Sequence, residues 1–202
     1  MRQISYAEAG MEALLEEMER DPKTFHLSTD APVPLVEKFG HSRVRGTPIA
    51  EGALTGMGIG AAGSGFRPII DWRMVTFSFV AMDQIVNQAS KIHYMFGGQT
   101  KFPILYRATV GGGVRMAAQH SQSPYSMFMN LAGLKMILPS TPYDTKGLLK
   151  TAIRDDNPVI SFESTRLLTM QGPVPEEDYT IPLGVADIKK EGKDVTIVAL
   201  AW

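Results

Sequence analysis

Cysteine is absent from the 202-residue chain, which excludes disulfides, thiolate metal sites and a cysteine nucleophile. Charge imbalance is absent too. The 20 Lys and Arg nearly cancel the 21 Asp and Glu, and a formal net charge of -1 offers no bulk attraction to nucleic acid or an anionic membrane. No apolar run reaches the roughly 18 residues that a membrane span needs. The opening MRQISYAEAG has no signal-peptide core, so a cytoplasmic or organelle-matrix protein is the default expectation. The four histidines (His26, His41, His93, His120) are scattered rather than set at ligand spacing, which argues against a zinc site. Internal repeats and low-complexity segments are missing as well.

What is present is an alternation of short apolar runs and helical patterns. Ser5-Tyr-Ala-Glu8 fits a capping box, and Ala9, Met11, Leu14, Leu15 and Met18 follow at helical spacing towards Arg20. Strands are expected at 24–28, 67–72, 102–109, 135–139 and 158–163. Pro48 to Gly65 reads as a loop entering a small-residue helix, and further helices are expected over 79–96, from Ser123-Pro124 and over 143–155, with a loop at Pro32 and Pro34. This order predicts an α/β fold: a three-layer sandwich with a mostly parallel sheet and helices on both faces. Residues 1–170 would form that domain. Residues 171–193, with several prolines and charges, read as a linker. Residues 194–202, an apolar run DVTIVALAW, read as the first strand of a further domain.

The most unusual stretch is Gly46 to Pro68, GTPIAEGALTGMGIGAAGSGFRP. Gly58-Ile-Gly60-Ala-Ala-Gly63 matches G-x-G-x-x-G, but a dinucleotide site needs a strand just before the glycines, and EGALTGM is helical in pattern. Nicotinamide binding is therefore disfavoured. Gly52, Gly56 and Gly60 recur every fourth residue and would give a flat helix face for close packing. Glycine weakens a helix by roughly 1 kcal/mol against Ala, so tight packing should compensate. Glu51 opens this segment as its lone acid. It reads either as a first-turn acid that suits the helix dipole or as a proton-relay carboxylate aimed at a ring nitrogen.

His120 lies in a polar loop, AAQHSQS, between the triplet Gly111–Gly113 and a helix start. Such loops carry catalytic groups on rigid scaffolds, although a surface histidine fits equally. The turn Ala152-Ile-Arg-Asp155-Asp-Asn157-Pro158 offers helix-end carbonyls and carboxyl oxygens that could hold a hard cation, or is an ordinary charged turn.

Taken in order, TPIAE, RPIIDW, DQIVNQASK, GGGVR, HSQSP, LPSTPYDTKGLLKTAIRDDNPVI and PEEDYTIPLG resemble the β subunit of thiamine-diphosphate-dependent 2-oxo acid dehydrogenases. That group includes the pyruvate, branched-chain and acetoin dehydrogenase E1 components. The resemblance covers nearly the whole chain. It implies a transketolase-type pyrimidine-binding fold, a cofactor of thiamine diphosphate with Mg2+ held mainly by an α subunit, and K+ as a possible structural ion. Implied partners are the α subunit in an α2β2 heterotetramer, a second β subunit and a lipoyl-bearing E2 acyltransferase. By the same resemblance Glu51 hydrogen-bonds the aminopyrimidine and favours the imino form that activates the thiazolium. Phe77 packs on that ring, and His120 is the active-site histidine. Ile104, Ala152, Ile153, Asp155 and Asn157 match a potassium site.

One departure stands out. The family usually carries Gly-Glu-Asp/Glu-Val after the first strand, whereas here Ser28-Thr29-Asp30-Ala31 runs into Pro32, with Thr29 where the acid would be. The substrate and the acyl acceptor stay open on this account. So does a rival reading, a non-catalytic or repurposed homologue acting in assembly.

Overall fold

The computed structural model describes residues 1–200. Its elements in chain order are β1 (Arg2–Ser5), α1 (Tyr6–Arg20), β2 (Thr24–Ser28), α2 (Val33–Phe39), β3 (Val44–Gly46), α3 (Glu51–Gly63), β4 (Arg67–Met74), α4 (Ile92–Met95), β5 (Leu105–Val110), α5 (Ala117–His120), α6 (Tyr125–Met129), β6 (Lys135–Ile137), α7 (Pro142–Arg154), β7 (Val159–Ser164) and β8 (Gln171–Val174). Six strands make one sheet in the order β3-β2-β4-β5-β7-β6, and each neighbouring pair is parallel. β1 and β8 form a separate antiparallel pair.

The period-2 alternation of strand side chains sorts the core into two layers. On one face Ile69, Leu105 and Val159 meet Leu14 and Met18 of α1 and Leu149 and Ile153 of α7. On the other, Ile70, Trp72, Tyr106 and Phe162 meet Leu54 and Ile59 of α3 together with Val75 and Ile85. Strands buried on both faces are what a parallel sheet requires. The three-layer α/β expectation therefore holds. One hydrogen bond and one close approach tie α3 to the sheet. Trp72 stacks on Tyr106 with ring centroids 4.8 Å apart, and its Nε1 donates to Thr55 Oγ1 at 2.9 Å. A Cβ on Gly58 would come within 2.8 Å of Ile70 Cδ1, so a larger residue there would push the helix outward.

The α1/α7 face also carries charge. Arg107 Nε and Nη2 donate to Glu163 at 2.8 and 2.6 Å, and Asp71 lies 3.8 Å from Nη1. Burial opposes the guanidinium charge, but Glu163 and then Asp71 outweigh it and hold the arginine above its usual range. In the same layer His26 sits in register between Val44 and Ile69, fully buried, and neither ring nitrogen has a partner among the described residues.

The capping box is realised: Glu8 N donates to Ser5 Oγ at 3.2 Å and Ser5 N donates to Glu8 at 2.7 Å. Four expectations are corrected. The loop at Pro32 and Pro34 is the start of α2, where prolines sit at the N-cap and in the first turn and need no helical N–H partner. The helix expected over 79–96 is broken into a 3-10 segment (Val75–Ala81), a π segment (Gln84–Ala89) and α4. Ser90 helps to break it: its Oγ donates back to the Val86 carbonyl while its N–H reaches Ile85 O. Within the expected linker 171–193, Gln171–Val174 forms β8 on β1, and Thr151 Oγ1 donates to Ile181 O at 2.6 Å. Residues 194–200 pair with no strand among the described residues, and the last two residues of that expected strand lie outside them. The glycine face is only half used. A Cβ on Gly52 or Gly56 would meet Val80 O at 3.5 Å or Gln84 Cγ at 3.8 Å, while Gly60 faces open space.

His26 gives the fold an acid limit. Burial, opposed in part by Asp71, pushes its pKa down from 6.5 to about 4. The unfolded chain therefore takes up the proton first. Stability is fully present above the unfolded value and is lost as pH falls from about 6.5 through about 4, by on the order of 3 kcal/mol in total. Urea unfolding between pH 7.5 and 4 should show this slope, and His26→Leu should flatten it. An equally steep slope in His26→Leu would contradict the assignment.

Candidate active site

Parallel strands bring their carboxyl ends to one edge of the sheet, where α/β proteins place their ligands. The loops leaving that edge carry the residues singled out from the sequence. Thr29 follows β2 and is half-buried. Residues 47–50 follow β3 and enter α3 at Glu51. The 3-10 segment with Phe77 follows β4, and the glycine triplet and His120 follow β5.

Glu51 is the first residue of α3 and is 5% exposed. The residue before it, Ala50, offers no side-chain cap, so Glu51 does not act as the helix N-cap. No hydrogen bond or ion pair within the described residues engages its carboxylate. A nearly buried carboxylate without a partner is costly, although the positive end of α3 offsets part of that cost. The approach to Glu51 is pinned: the N–H of Thr47 donates to Ser28 O at 2.8 Å, tying the loop after β3 to the end of β2. The first turn of α3 then packs against the 3-10 segment through Gly52 and Val80.

Phe77 and His120 meet. Their rings stand edge to face with centroids 5.1 Å apart and an interplanar angle of 78°. Thr76 Oγ1 lies 3.1 Å from His120 Nδ1. Gly111 makes this approach possible, since a Cβ there would stand 1.7 Å from the His120 carbonyl oxygen. The non-glycine residues with left-handed backbone, Arg73 (φ 68°), Arg115 (φ 58°) and Ala117 (φ 58°), all lie at this edge. Strain of this kind gathers at functional sites.

The five residues expected to hold potassium lie elsewhere. Ile104 precedes β5, and Ala152, Ile153, Asp155 and Asn157 surround the end of α7 and the start of β7, at the amino edge of the sheet. Ile153, Asp155 and Asn157 share partners there. Arg67 Nη1 donates to the carbonyls of Ile153, Arg154 and Asp155 at 3.1, 3.2 and 3.0 Å. Asp155 takes Lys135 on Oδ2 at 2.5 Å and Asn157 on Oδ1 at 2.9 Å. Burial would raise the Asp155 carboxyl, but these partners outweigh it and hold it below the usual carboxylate range. Here the corner's positive charge comes from Arg67 and Lys135. Among the described residues no group of three His, Asp or Glu could hold a metal ion.

Thr76 and Arg67 were not legible as site residues. Thr76 sits in an unremarkable apolar run, and Arg67 acts only through carbonyls that a sequence does not display. The glycines of the G-x-G-x-x-G match lie inside α3 rather than in a strand-to-helix turn, which removes the dinucleotide reading.

Residues 2–171 match the family model of the transketolase pyrimidine-binding domain, and the chain belongs to that family. It is 46% identical over 208 residues to the 2-oxoisovalerate dehydrogenase subunit beta of Bacillus subtilis, covering 98% of this chain and 64% of that protein. It is 51% identical over 166 residues to the acetoin:2,6-dichlorophenolindophenol oxidoreductase subunit beta of the same organism, covering 82% and 48%. To the pyruvate dehydrogenase E1 component subunit beta of Rickettsia felis it is 43% identical, covering 98% and 64%. The chain thus spans about half to two-thirds of the length of these relatives. Among solved structures, a split-gene transketolase described as an inactive beta4 tetramer superimposes with a TM-score of 0.75 at 25% identity, covering 98% of this chain and 63% of that one.

Because Arg67 caps the carbonyls at the end of α7 and pairs with Asp156 at 2.7 Å, Arg67→Met should destabilise the chain by about 2–3 kcal/mol. A thermal melt indistinguishable from wild type would show that these bonds contribute nothing net.

Proposed function

We propose that this chain is the β subunit of a thiamine-diphosphate-dependent 2-oxo acid dehydrogenase E1 component and supplies the pyrimidine-binding half of its active site. The observation that carries the reading is Glu51: nearly buried, unpartnered, and at the start of the helix that packs on the segment presenting Phe77, whose ring meets His120 at the carboxyl edge. The donor set fits the cofactor, since a carboxyl, an aromatic ring and an imidazole meet a heteroaromatic ring with polar nitrogens. Thiamine diphosphate, when bound, supplies the nucleophilic carbon and electron sink for decarboxylating a 2-oxo acid or cleaving acetoin. Glu51 would hold a proton against a ring nitrogen, Phe77 would pack on the ring, and His120 would move a proton at the substrate side.

The other half of the site would come from an α subunit in an α2β2 assembly, which would also hold Mg2+ with the diphosphate. Around the carboxyl edge and beyond it, Ile49, Val80, Tyr94 and Met95 are 69–87% exposed, a surplus of large apolar side chains that fits burial against partner subunits. The small residues of α3 that face outward, Ala53 and Gly60, suit a second β subunit. An E2 acyltransferase with a lipoyl group would accept the acyl unit. A structural K+ at the corner of Asp155 and Asn157 would have to share oxygens that Arg67 and Lys135 already engage. Residues 1–170 would form the pyrimidine domain. Thr29 supports the rival reading, a repurposed homologue acting in assembly.

Reconstitution with an α subunit, thiamine diphosphate and Mg2+ tests the proposal by CO2 release from 2-oxo acids. Glu51→Gln should lower kcat by about a hundredfold or more with unchanged circular dichroism. Full activity in that variant would remove Glu51 from the chemistry. Cofactor binding by a wild-type complex that turns over no 2-oxo acid or ketol would favour the repurposed reading. Replacing KCl by choline chloride should lower the melting temperature, and no change would remove the ion.

A further inference from the structure

His120 stands on a helix of only four residues, reached through a residue with left-handed backbone, Ala117. So short an element does little to orient a ring by itself. The orientation comes from across the site, from the 3-10 segment Val75–Ala81. In that segment Val75, Ser78 and Ala81 are fully buried, a spacing of three that matches the 3-10 repeat. Ser78 Oγ closes the turn by donating to Val75 O at 2.6 Å. The buried stripe leaves Thr76 and Phe77 on the half-exposed side, and both touch the His120 ring.

Thr76 Oγ1 lies 3.1 Å from Nδ1 and makes no other hydrogen bond among the described residues. A hydroxyl can donate to a bare Nδ1 or accept from a protonated one. A carboxylate or carbonyl in its place could only accept, and would fix one neutral tautomer. With Nδ1 engaged and Phe77 against the ring, Nε2 is the nitrogen left to meet a substrate. We propose that Thr76 is the positioning residue of this site, orienting His120 while letting its Nε2 both give and take a proton without the ring turning. The inference deepens the proposed function and rests on it for the substrate's identity, but the Thr76–His120 pair stands on geometry alone.

The pair is tested in the full chain labelled with 15N-histidine, without cofactor. Thr76→Val removes the hydroxyl at nearly constant shape, and Thr76→Ser keeps it. Thr76→Val should move both ring-nitrogen shifts of His120, and of no other histidine, towards those of free imidazole, with Thr76→Ser remaining at the wild-type shifts. An unchanged His120 spectrum in Thr76→Val would overturn the inference. If Thr76→Val does not fold, Thr76→Ala carries the same comparison. In the reconstituted complex Thr76→Val should lose roughly ten- to a hundredfold in kcat with KM little changed, and Thr76→Ser should recover most of it. A Thr76→Ser variant as slow as Thr76→Val would show that a hydroxyl at this position does not sustain the rate, and would overturn the inference. The two levels separate cleanly. An inactive wild-type complex counts against the assigned function and leaves the spectral result standing, whereas an unchanged spectrum counts against Thr76 and leaves the function standing.

Discussion

The parallel pairing of six strands is the constraint from which the rest follows. Once β3, β2, β4, β5, β7 and β6 run the same way, every loop at one edge leaves a carboxyl end. Residues from three separate loops can then gather at that edge without long-range folding of those loops themselves. Glu51, Phe77 and His120 are separated by tens of residues in the chain, yet each lies in a connection that leaves the carboxyl end of a strand. The opposite edge is stapled instead, by Arg67 across the carbonyls that end α7.

The two faces of the sheet divide the labour. The face under α1 and α7 carries a buried row of charge, Asp71, Arg107 and Glu163, and the helices above it are joined by Arg154 to Glu17 at 2.6 Å and Lys146 to Glu16 at 2.6 Å. Breaking one member of such a buried pair leaves an uncompensated charge, which makes this layer rigid rather than adaptable. The face under α3 is apolar apart from the Trp72 to Thr55 bond, and it delivers the first turn of α3 to the site. The only side chain there that is both charged and nearly buried without a partner is Glu51, among the described residues. A rigid layer behind and an unmet acid in front is an arrangement suited to holding a ligand's ring.

Much of this was legible in the sequence where local chemistry decides. The capping box at Ser5, the apolar runs of β4 and β7 and the N-terminal position of Glu51 in a small-residue helix follow from residue type and spacing. What was not legible depends on contacts between distant segments. α2 was hidden by Pro32 and Pro34, which mark loops and first helical turns alike. The break in the 79–96 helix depends on Ser90 choosing a backbone carbonyl. Thr76 carries no pattern at all, and its role exists only because β5's loop returns His120 to it. The every-fourth-glycine face was half misread, since Gly58, which lies off that face, makes the closest approach to the sheet.

The central claim is that Glu51 faces the aminopyrimidine of thiamine diphosphate. A crystal structure of this chain with an α subunit and the cofactor tests it most directly. The account predicts the Glu51 carboxylate within about 2.6–3.2 Å of a pyrimidine ring nitrogen, with Phe77 against the ring. A bound cofactor whose pyrimidine lies beyond hydrogen-bond reach of Glu51 would contradict it.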